Sequence, residues 1–268
     1  MLHDASFVDD ATRIYRALRY AARLQFALET HTSALLRRDV SCIDTIGGER
    51  LRRELELMLE ESSAGQAIEA CQATGVLRAT HPSLHWDSAK STAYGSPPAA
   101  VPHVPLGFAL LAAGASSEDA ESICARLRLK RDEAAAVRGL AAMAQVTDML
   151  RRPDAKPSGI VVLLDRYPAA AVAAYAATAA DSIARQLALR YLEEWRHVRP
   201  ALSGRELRDL GVPQGPQVQR GLQLIRAARL DGWANDRGDE RALALRFAKS
   251  IRDSGEANAS VKLRLNDD

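Results

Sequence analysis

The sequence has no apolar run approaching the length of a membrane span, and no signal-peptide pattern stands ahead of Asp9. Both absences make a soluble, untargeted, cytoplasmic protein without a membrane partner the expectation. Cysteine is scarce. Cys42, Cys71 and Cys124 are odd in number and far apart, which argues against a disulfide framework and for a reducing compartment. No stretch alternates apolar and polar residues, and no β-hairpin signature occurs, so strands are not expected. A fixed-period repeat is absent as well, which disfavours a solenoid. Two catalytic signatures are missing: the Gly-x-x-x-x-Gly-Lys phosphate loop and the Gly-x-Ser-x-Gly nucleophile turn. No two aspartates stand two residues apart. Lysine is sparse beside arginine throughout, which weakens any argument from a local arginine cluster.

What remains is a chain of 268 residues, 47% hydrophobic, long enough to bury one substantial core or two to three smaller ones. The periodicity is helical nearly everywhere, and the fold class expected is all-α, with helices short enough to stack as hairpins. A first helix is expected from Asp9 to Phe26 or Leu28, its acidic residues in the first turn where the helix dipole favours them. A second opens at Thr30, capped by Thr30 or Thr32. Gly47-Gly48 marks a break, followed by a helix over 49–61 with an apolar stripe of Leu51, Leu55, Met58 and Leu59. Ser63 and Gln66 fit a capping box, and Gly75 ends the helix that follows. Residues 88–105, rich in Ser, Pro and Ala, form the best linker candidate. Beyond them lie helices starting at Leu106, Ser116, Asp132, Pro157, Pro168 and Arg185. Ser203-x-x-Glu206 is a second capping box, and Gly215-Pro216 opens a helix that Asp231-Gly232 closes.

Several groupings invite a chemical reading. Asp10 and Arg13, three apart, project from one face if they share a helix; they form either an ordinary ion pair or an acceptor and donor for a nucleobase edge. His81 and His85 stand four apart with Cys71 as a further donor, but Pro82 breaks the helix a metal site would need, and a loop around a packed Trp86 is the simpler reading. Arg126, Arg128, Lys130 and Arg131 form a basic patch at a helix junction, suited equally to phosphates and to helix C-terminal capping. Trp195 and Tyr191 read as core anchors rather than base-stacking groups. The net charge of +2 identifies no partner. Its distribution says more: residues 181–229 hold nine Arg against five acidic residues, whereas residues 1–61 hold nine Arg against eleven. A phosphate-binding surface is therefore expected in the second half, with Arg185, Arg190, Arg196 and Arg199 as its candidates.

Three motifs carry a resemblance. Residues 6–20, Ser-Phe-Val-Asp-Asp-Ala-Thr-Arg-Ile-Tyr-Arg-Ala-Leu-Arg-Tyr, resemble the opening of the neck in class II tRNA nucleotidyltransferases, the CCA-, CC- and A-adding enzymes and bacterial poly(A) polymerases. Gly48-Glu49-Arg50-Leu51-Arg52-Arg53-Glu54-Leu55 is similar to the Glu-Arg-x-x-x-Glu motif of the same neck. Leu202-Ser203-Gly204-Arg205-Glu206-Leu207 and Gly211-Val212-Pro213-Gln214-Gly215-Pro216 are similar to the C-terminal region of the bacterial members. The resemblance implies a neck over 1–87, a linker over 88–105, a helical body over 106–200 and a tail over 201–268. It also implies that Asp10 and Arg13, with Asp9 where the family has Glu, pair with the base of incoming CTP or ATP. Glu49, Arg50 and Glu54 would support the neck, through pairs such as Glu49–Arg53 or Arg50–Glu54.

The reaction of that family requires two metal ions, Mg²⁺ in the complete enzyme, held by closely spaced carboxylates of an N-terminal head. In this chain Glu54 and Glu56, or Asp119 and Glu121, lie on helices where positions two apart diverge. The expectation is thus a chain without catalytic residues or a cofactor of its own, contributing nucleotide selection and tRNA binding to 3′-terminal addition. Its partners would be tRNA, CTP, ATP and a head encoded with it or separately. The alternatives are a non-catalytic RNA-binding subunit of a split enzyme and a generic helical interaction scaffold. CCA, CC, A and poly(A) addition stay open.

Overall fold

The computed structural model describes residues 3–152 and 154–264, with side chains through 253. Among the described residues there is no strand; the protein is all-α, as its periodicity demands. It divides into two compact units, Met1–Arg152 with Leu164–Glu193, and Pro153–Leu163 with Glu194–Asp268.

The first unit begins with a single turn, α1 (Ser6–Asp9), then α2 (Thr12–Leu24), α3 (Thr30–Asp39), a 3-10 segment (Val40–Thr45) and α4 (Gly48–Leu59). Next come α5 (Ala64–Ala73), α6 (Val76–Thr80), α7 (Ser88–Gly95) and α8 (His103–Leu111). It continues with α9 (Ser117–Leu127), α10 (Arg131–Ala142) and α11 (Val146–Leu150), and after α12 (Pro157–Leu164) closes with α13 (Ala169–Thr178) and α14 (Ser182–Glu193). Helix α2 buries Ile14, Tyr15 and Leu18 against α4 and α5, where Leu51, Leu55, Met58 and Ile68 are fully buried. The Tyr15 hydroxyl is paired with Thr80, which ties α2 to α6. Helices α8, α10 and α13 pack together around small residues. A Cβ on Gly139 would stand 3.0 Å from that of Ala171, so the absence of a side chain there lets α10 and α13 approach closely.

The second unit contains a 3-10 turn (Trp195–His197), α15 (Gly204–Asp209), α16 (Pro216–Leu230) and α17 (Arg237–Arg264). Its core is Leu202, Leu207, Val212, Ile225, Ala244 and Ala248. Asp231 accepts from the Ser158 amide at 2.9 Å and the Ser158 hydroxyl at 2.8 Å, fixing the start of α12 to the end of α16.

Several local expectations change. The first helix is two: α1 ends at Asp9, Asp10 is extended (φ −150°), and α2 starts at Thr12. Glu29, not Thr30 or Thr32, caps α3, accepting from the His31 and Thr32 amides at 2.9 Å each. Ser63 makes no side-chain cap, whereas the Ser116–Asp119 and Ser203–Glu206 boxes form. Within 88–105, read as a linker, α7 is a regular helix capped by Asp87, and its Tyr94 is buried edge-on to Trp86.

Candidate functional site

The Asp10 and Arg13 side chains do not pair with each other. The chain leaves α1 at Asp9 and turns through Asp10 before α2, so Asp10 sits ahead of the helix rather than in its first turn. Its Oδ1 accepts from the Thr12 amide at 3.1 Å, the Thr12 hydroxyl at 2.8 Å and Arg50 Nη2 at 3.0 Å. Arg13 instead donates through Nη1 to the Ser6 carbonyl at 3.1 Å. Burial works against the Asp10 charge, but Thr12 and Arg50 outweigh it, and the carboxyl sits below the usual carboxylate range. Among the described residues, the Asp10 Oδ2 and the remaining Arg13 donors take no protein partner. An acceptor and a donor are thus held separately, by different partners. Asp9, the last residue of α1, is exposed and faces His3 at 3.3 Å.

The Glu49, Arg50 and Glu54 motif also works across helices rather than along one. Glu49 pairs with Arg128 at 3.3 Å, and Arg50 with Asp10. Glu54 lies 4.0 Å from Arg19, which prefers Glu61 at 3.0 Å. The expected Glu49–Arg53 and Arg50–Glu54 pairs give way to these contacts because α4 is covered on two sides. Burial raises the Glu54 carboxyl above its usual range, opposed by Arg19 and Arg16, and its Oε2 is buried without a hydrogen bond. Glu56 points the other way, to Lys130 at 2.6 Å and Arg52 at 3.3 Å.

Those divergent directions bear on the metal question. Two-metal chemistry needs carboxylates that converge on one point. Here Glu54 faces α2 and Glu56 faces the start of α10; Asp119 caps α9 while Glu121 pairs with Arg138 at 2.7 Å. Among the described residues no three His, Cys, Asp or Glu side chains converge as a metal site. The donor set does not fit Mg²⁺, and no chemical step is assigned through it. His81 is bonded to Ser122 at 3.0 Å, His85 is exposed, and Cys71 lies buried beside Met58. The basic patch is largely structural: Arg126 donates to the Ile46 carbonyl at 2.9 Å and the Ile43 carbonyl at 3.2 Å, closing the 3-10 segment.

The four arginines of the second half divide between the units. Arg185 and Arg190 are exposed on α14 of the first, and Arg185 reaches the Ala179 carbonyl at 2.6 Å. Arg196 and Arg199 belong to the second. Arg199 is exposed and donates to the Arg196 carbonyl at 2.6 Å, whereas Arg196 is half-buried with an internal Nη1. Trp195 and Tyr191 are buried core residues.

Sequence reasoning passed over a cleft on the outer side of α2. It encloses about 480 Å³, and Ser6, Phe7, Arg13, Arg16, Tyr20 and Phe26 line it. Phe26 is 69% exposed and Leu24 50%. The signal was present as arginines at positions 13 and 16 of one helix face, but their freedom from carboxylates is a tertiary fact.

No family model matches the chain. Over 93% of its length it is 29% identical to the A-adding tRNA nucleotidyltransferase of Geobacter sulfurreducens, of which it spans 31%. A shorter stretch, 33% of the chain, is 33% identical to the CC-adding tRNA nucleotidyltransferase of a Synechocystis species, covering 20% of it. Among solved structures, the Thermotoga maritima CCA-adding enzyme complexed with tRNA superposes with a TM-score of 0.72 at 22% identity, over 91% of this chain and 63% of that one. A CCA-adding enzyme in complex with ATP gives 0.71 at 23% identity, over 94% and 63%. The chain therefore spans about a third of the Geobacter relative and under two thirds of these structural neighbours. The chain is thus similar in sequence to A- and CC-adding tRNA nucleotidyltransferases and in fold to CCA-adding enzymes, over a part of each.

Proposed function

We propose that the chain supplies nucleotide selection and tRNA binding to 3′-terminal CCA, CC or A addition, in the cytoplasm, with the metal-dependent chemistry carried out by a catalytic head outside these 268 residues. In this reading residues 1–87 act as neck, 106–200 as body and 201–268 as tail. The observation that carries it is the near end-to-end similarity to an A-adding enzyme, joined to structural neighbours bound to ATP and to CTP.

The chemistry of selection follows from the Asp10–Arg13 geometry. Cytosine and adenine both present an exocyclic amino donor beside a ring-nitrogen acceptor on their pairing edge. Asp10 Oδ2 accepts from the amino group, and an Arg13 N–H donates to the ring nitrogen. Guanine and uracil reverse that order, placing a carbonyl against the carboxylate and an N–H against the guanidinium. Unpaired polar groups would then be left at the site, and discrimination of about 1–3 kcal/mol per bidentate contact is the natural scale. Thr12 and Arg50 hold Asp10, and the Ser6 carbonyl holds Arg13, so neither group needs to reorganise.

The test joins the chain to a family head, by fusion or in trans, and measures CTP and ATP addition to tRNA lacking its 3′ end. Arg13→Ala lowers addition and relaxes selection against GTP and UTP, while the melting temperature changes little. Unchanged nucleotide choice in an active Arg13→Ala fusion refutes the reading.

A further inference from the structure

Arg52, Arg53 and Glu56 stand three and four apart on α4, a spacing that gives solvent-facing ion pairs on a surface helix. Both pairs form, with Arg52 at 3.3 Å and Arg53 at 3.4 Å from Glu56, yet Glu56 is only 2% exposed. Packing of α9 on α4 brings the α9–α10 junction over it. Lys130, the residue before α10, reaches Glu56 through its ammonium at 2.6 Å. Its backbone amide donates at 2.8 Å to a second carboxyl, that of Glu133 in the first turn of α10, which is 5% exposed. Carboxyls from two helices are thus buried on the two polar groups of one lysine.

They are unequally provided for. Glu56 has three cations, whereas Glu133 has a neutral amide and, among the described residues, no cation within ion-pair distance. Neighbouring charges are engaged elsewhere. Arg19 of α2 turns to Glu54 and Glu61, and Glu69 of α5 accepts from Ser91. On α9, Asp119 takes Ser116, Glu121 takes Arg138, and Arg126 donates to two carbonyls. Helices α8 and α13 bring His103, on the Tyr94 carbonyl, and Tyr175, on the Thr147 hydroxyl. Two buried carboxyls this close resist ionising together. Burial pushes the Glu133 carboxyl above the usual carboxylate range; the Lys130 amide opposes this and Glu56 reinforces it. Burial also works against the Glu56 charge, but Lys130 and Arg53 outweigh it and hold that carboxyl below the range.

We propose that Glu133 and Glu56 form a proton-linked latch between the start of α10 and α4, closed while Glu133 carries a proton and loosened when both carboxyls are charged. A protonated Glu133 still accepts from the Lys130 amide through its carbonyl oxygen, so the cap of α10 survives in the closed form. The sign follows from linkage. The Glu133 contribution to stability is full below the unfolded value of about 4.3 and is lost as pH rises through the higher folded value. The latch adjoins the contacts that end at Asp10: Arg52, held by Glu56, donates to the Arg128 carbonyl, and Arg128 meets Glu49 at 3.3 Å. Glu133 is in this sense a positioning residue. Its effect on base selection rests on the nucleotide-selecting reading above; the latch itself does not.

Carbon-13 titration of the glutamate side chains in the full chain, read beside hydrogen exchange at the Lys130 amide, tests the latch. One glutamate should titrate above the others and be missing in Glu133→Gln; in Glu56→Gln it should fall back toward about 4.3. Between about pH 5 and about pH 8, protection of the Lys130 amide, corrected for intrinsic exchange, should drop about tenfold. Glu133→Gln fixes the neutral form and should abolish that drop, and it decides the matter alone if Glu56→Gln does not fold. Glu121→Gln breaks an exposed pair between α9 and α10 and should leave the drop unchanged. A high-titrating glutamate that survives Glu133→Gln, or the same pH dependence of protection with and without Glu133, overturns the proposal. In the head-joined enzyme, the preference for CTP and ATP over GTP and UTP should loosen across the same pH range, and not in Glu133→Gln. A working latch with pH-independent preference refutes its link to Asp10 and leaves the latch standing, so the two ideas fail separately.

Discussion

Replacing Glu240 by alanine should unlock the second unit and loosen the segment that carries Arg196 and Arg199. Glu240 is wholly buried at the start of α17. Its Oε1 accepts from the Ala201 amide at 3.0 Å and Arg229 Nη1 at 2.6 Å; its Oε2 accepts from the amides of Ala201 and Leu202 at 2.9 Å each. The Leu202 amide is buried, and leaving it without an acceptor costs about 1–3 kcal/mol. Arg229, 31% exposed, turns partly to water, so its loss falls below the roughly 3–5 kcal/mol of a fully buried broken pair. Together these put Glu240→Ala at about 3 kcal/mol, with Glu240→Gln intermediate because one acceptor oxygen remains. Urea unfolding followed through buried Trp195, and hydrogen exchange at the Leu202 amide, measure the effect locally; about 3 kcal/mol corresponds to roughly a hundredfold faster exchange. tRNA affinity should fall in parallel. Burial opposes the Glu240 charge, but the amides and Arg229 outweigh it and lower its folded pKa. Its contribution is therefore full above the unfolded value of about 4.3 and is lost as pH falls through the lower folded value. Unchanged exchange at Leu202 together with an unchanged urea midpoint would refute the reasoning.

Arg50→Ala removes the 3.0 Å contact that steadies Asp10. Melting should move by no more than about 1 kcal/mol, since the pair is partly exposed, whereas CTP and ATP addition by the head-joined enzyme should fall and Arg50→Lys recover part of it. Binding of tRNA to the chain should weaken steeply with salt, as counterion release requires. Charge reversal at exposed Arg199 should weaken it more than reversal at Asp9; filter binding across a salt series reads both, and the opposite order would move the RNA surface to the first unit.

Local signals read well because their partners are local. Pro157 and Pro216 open helices at the residues where they stand, and the Ser116 and Ser203 boxes close on acids three positions away. Misreadings arose wherever a distant residue decides. Asp10 reads as a first-turn acid, but α1 turns back before it and Arg50, 40 positions on, takes its oxygen. Glu49 finds Arg128, 79 positions away, and no spacing rule sees that far. Helix α7 arises in a Ser- and Pro-rich stretch because Tyr94 has a buried place to go, with its hydroxyl on the Leu59 carbonyl at 2.7 Å. The final helix, α17, is the exception: no helix is expected there, although Asp236 caps it locally, accepting from the Asp239 amide at 2.9 Å. Its first turn is anchored by Glu240, whose partners lie 38 and 39 positions back. The pair proposed to read the base, Asp10 and Arg13, is legible as residue types, and its geometry is not.

That geometry gives the Glu49, Arg50 and Glu54 motif a physical role. Reading a base edge with one acceptor and one donor requires both to stay still, because a carboxylate free to rotate accepts from any donor offered. Asp10 is fixed by Thr12 from its own chain and by Arg50 from α4. The start of α4 is fixed in turn: Arg128, at the junction of α9 and α10, reaches Glu49, and its carbonyl accepts from Arg52. Gly48 makes that approach possible, since an added Cβ would overlap the Arg126 carbonyl. The contacts therefore run in series from the α9–α10 junction, through the first turn of α4, to the carboxylate at the head of α2. A motif that looks in sequence like two intrahelical ion pairs works instead as a strut, and the residue at its far end is the one proposed to read the base.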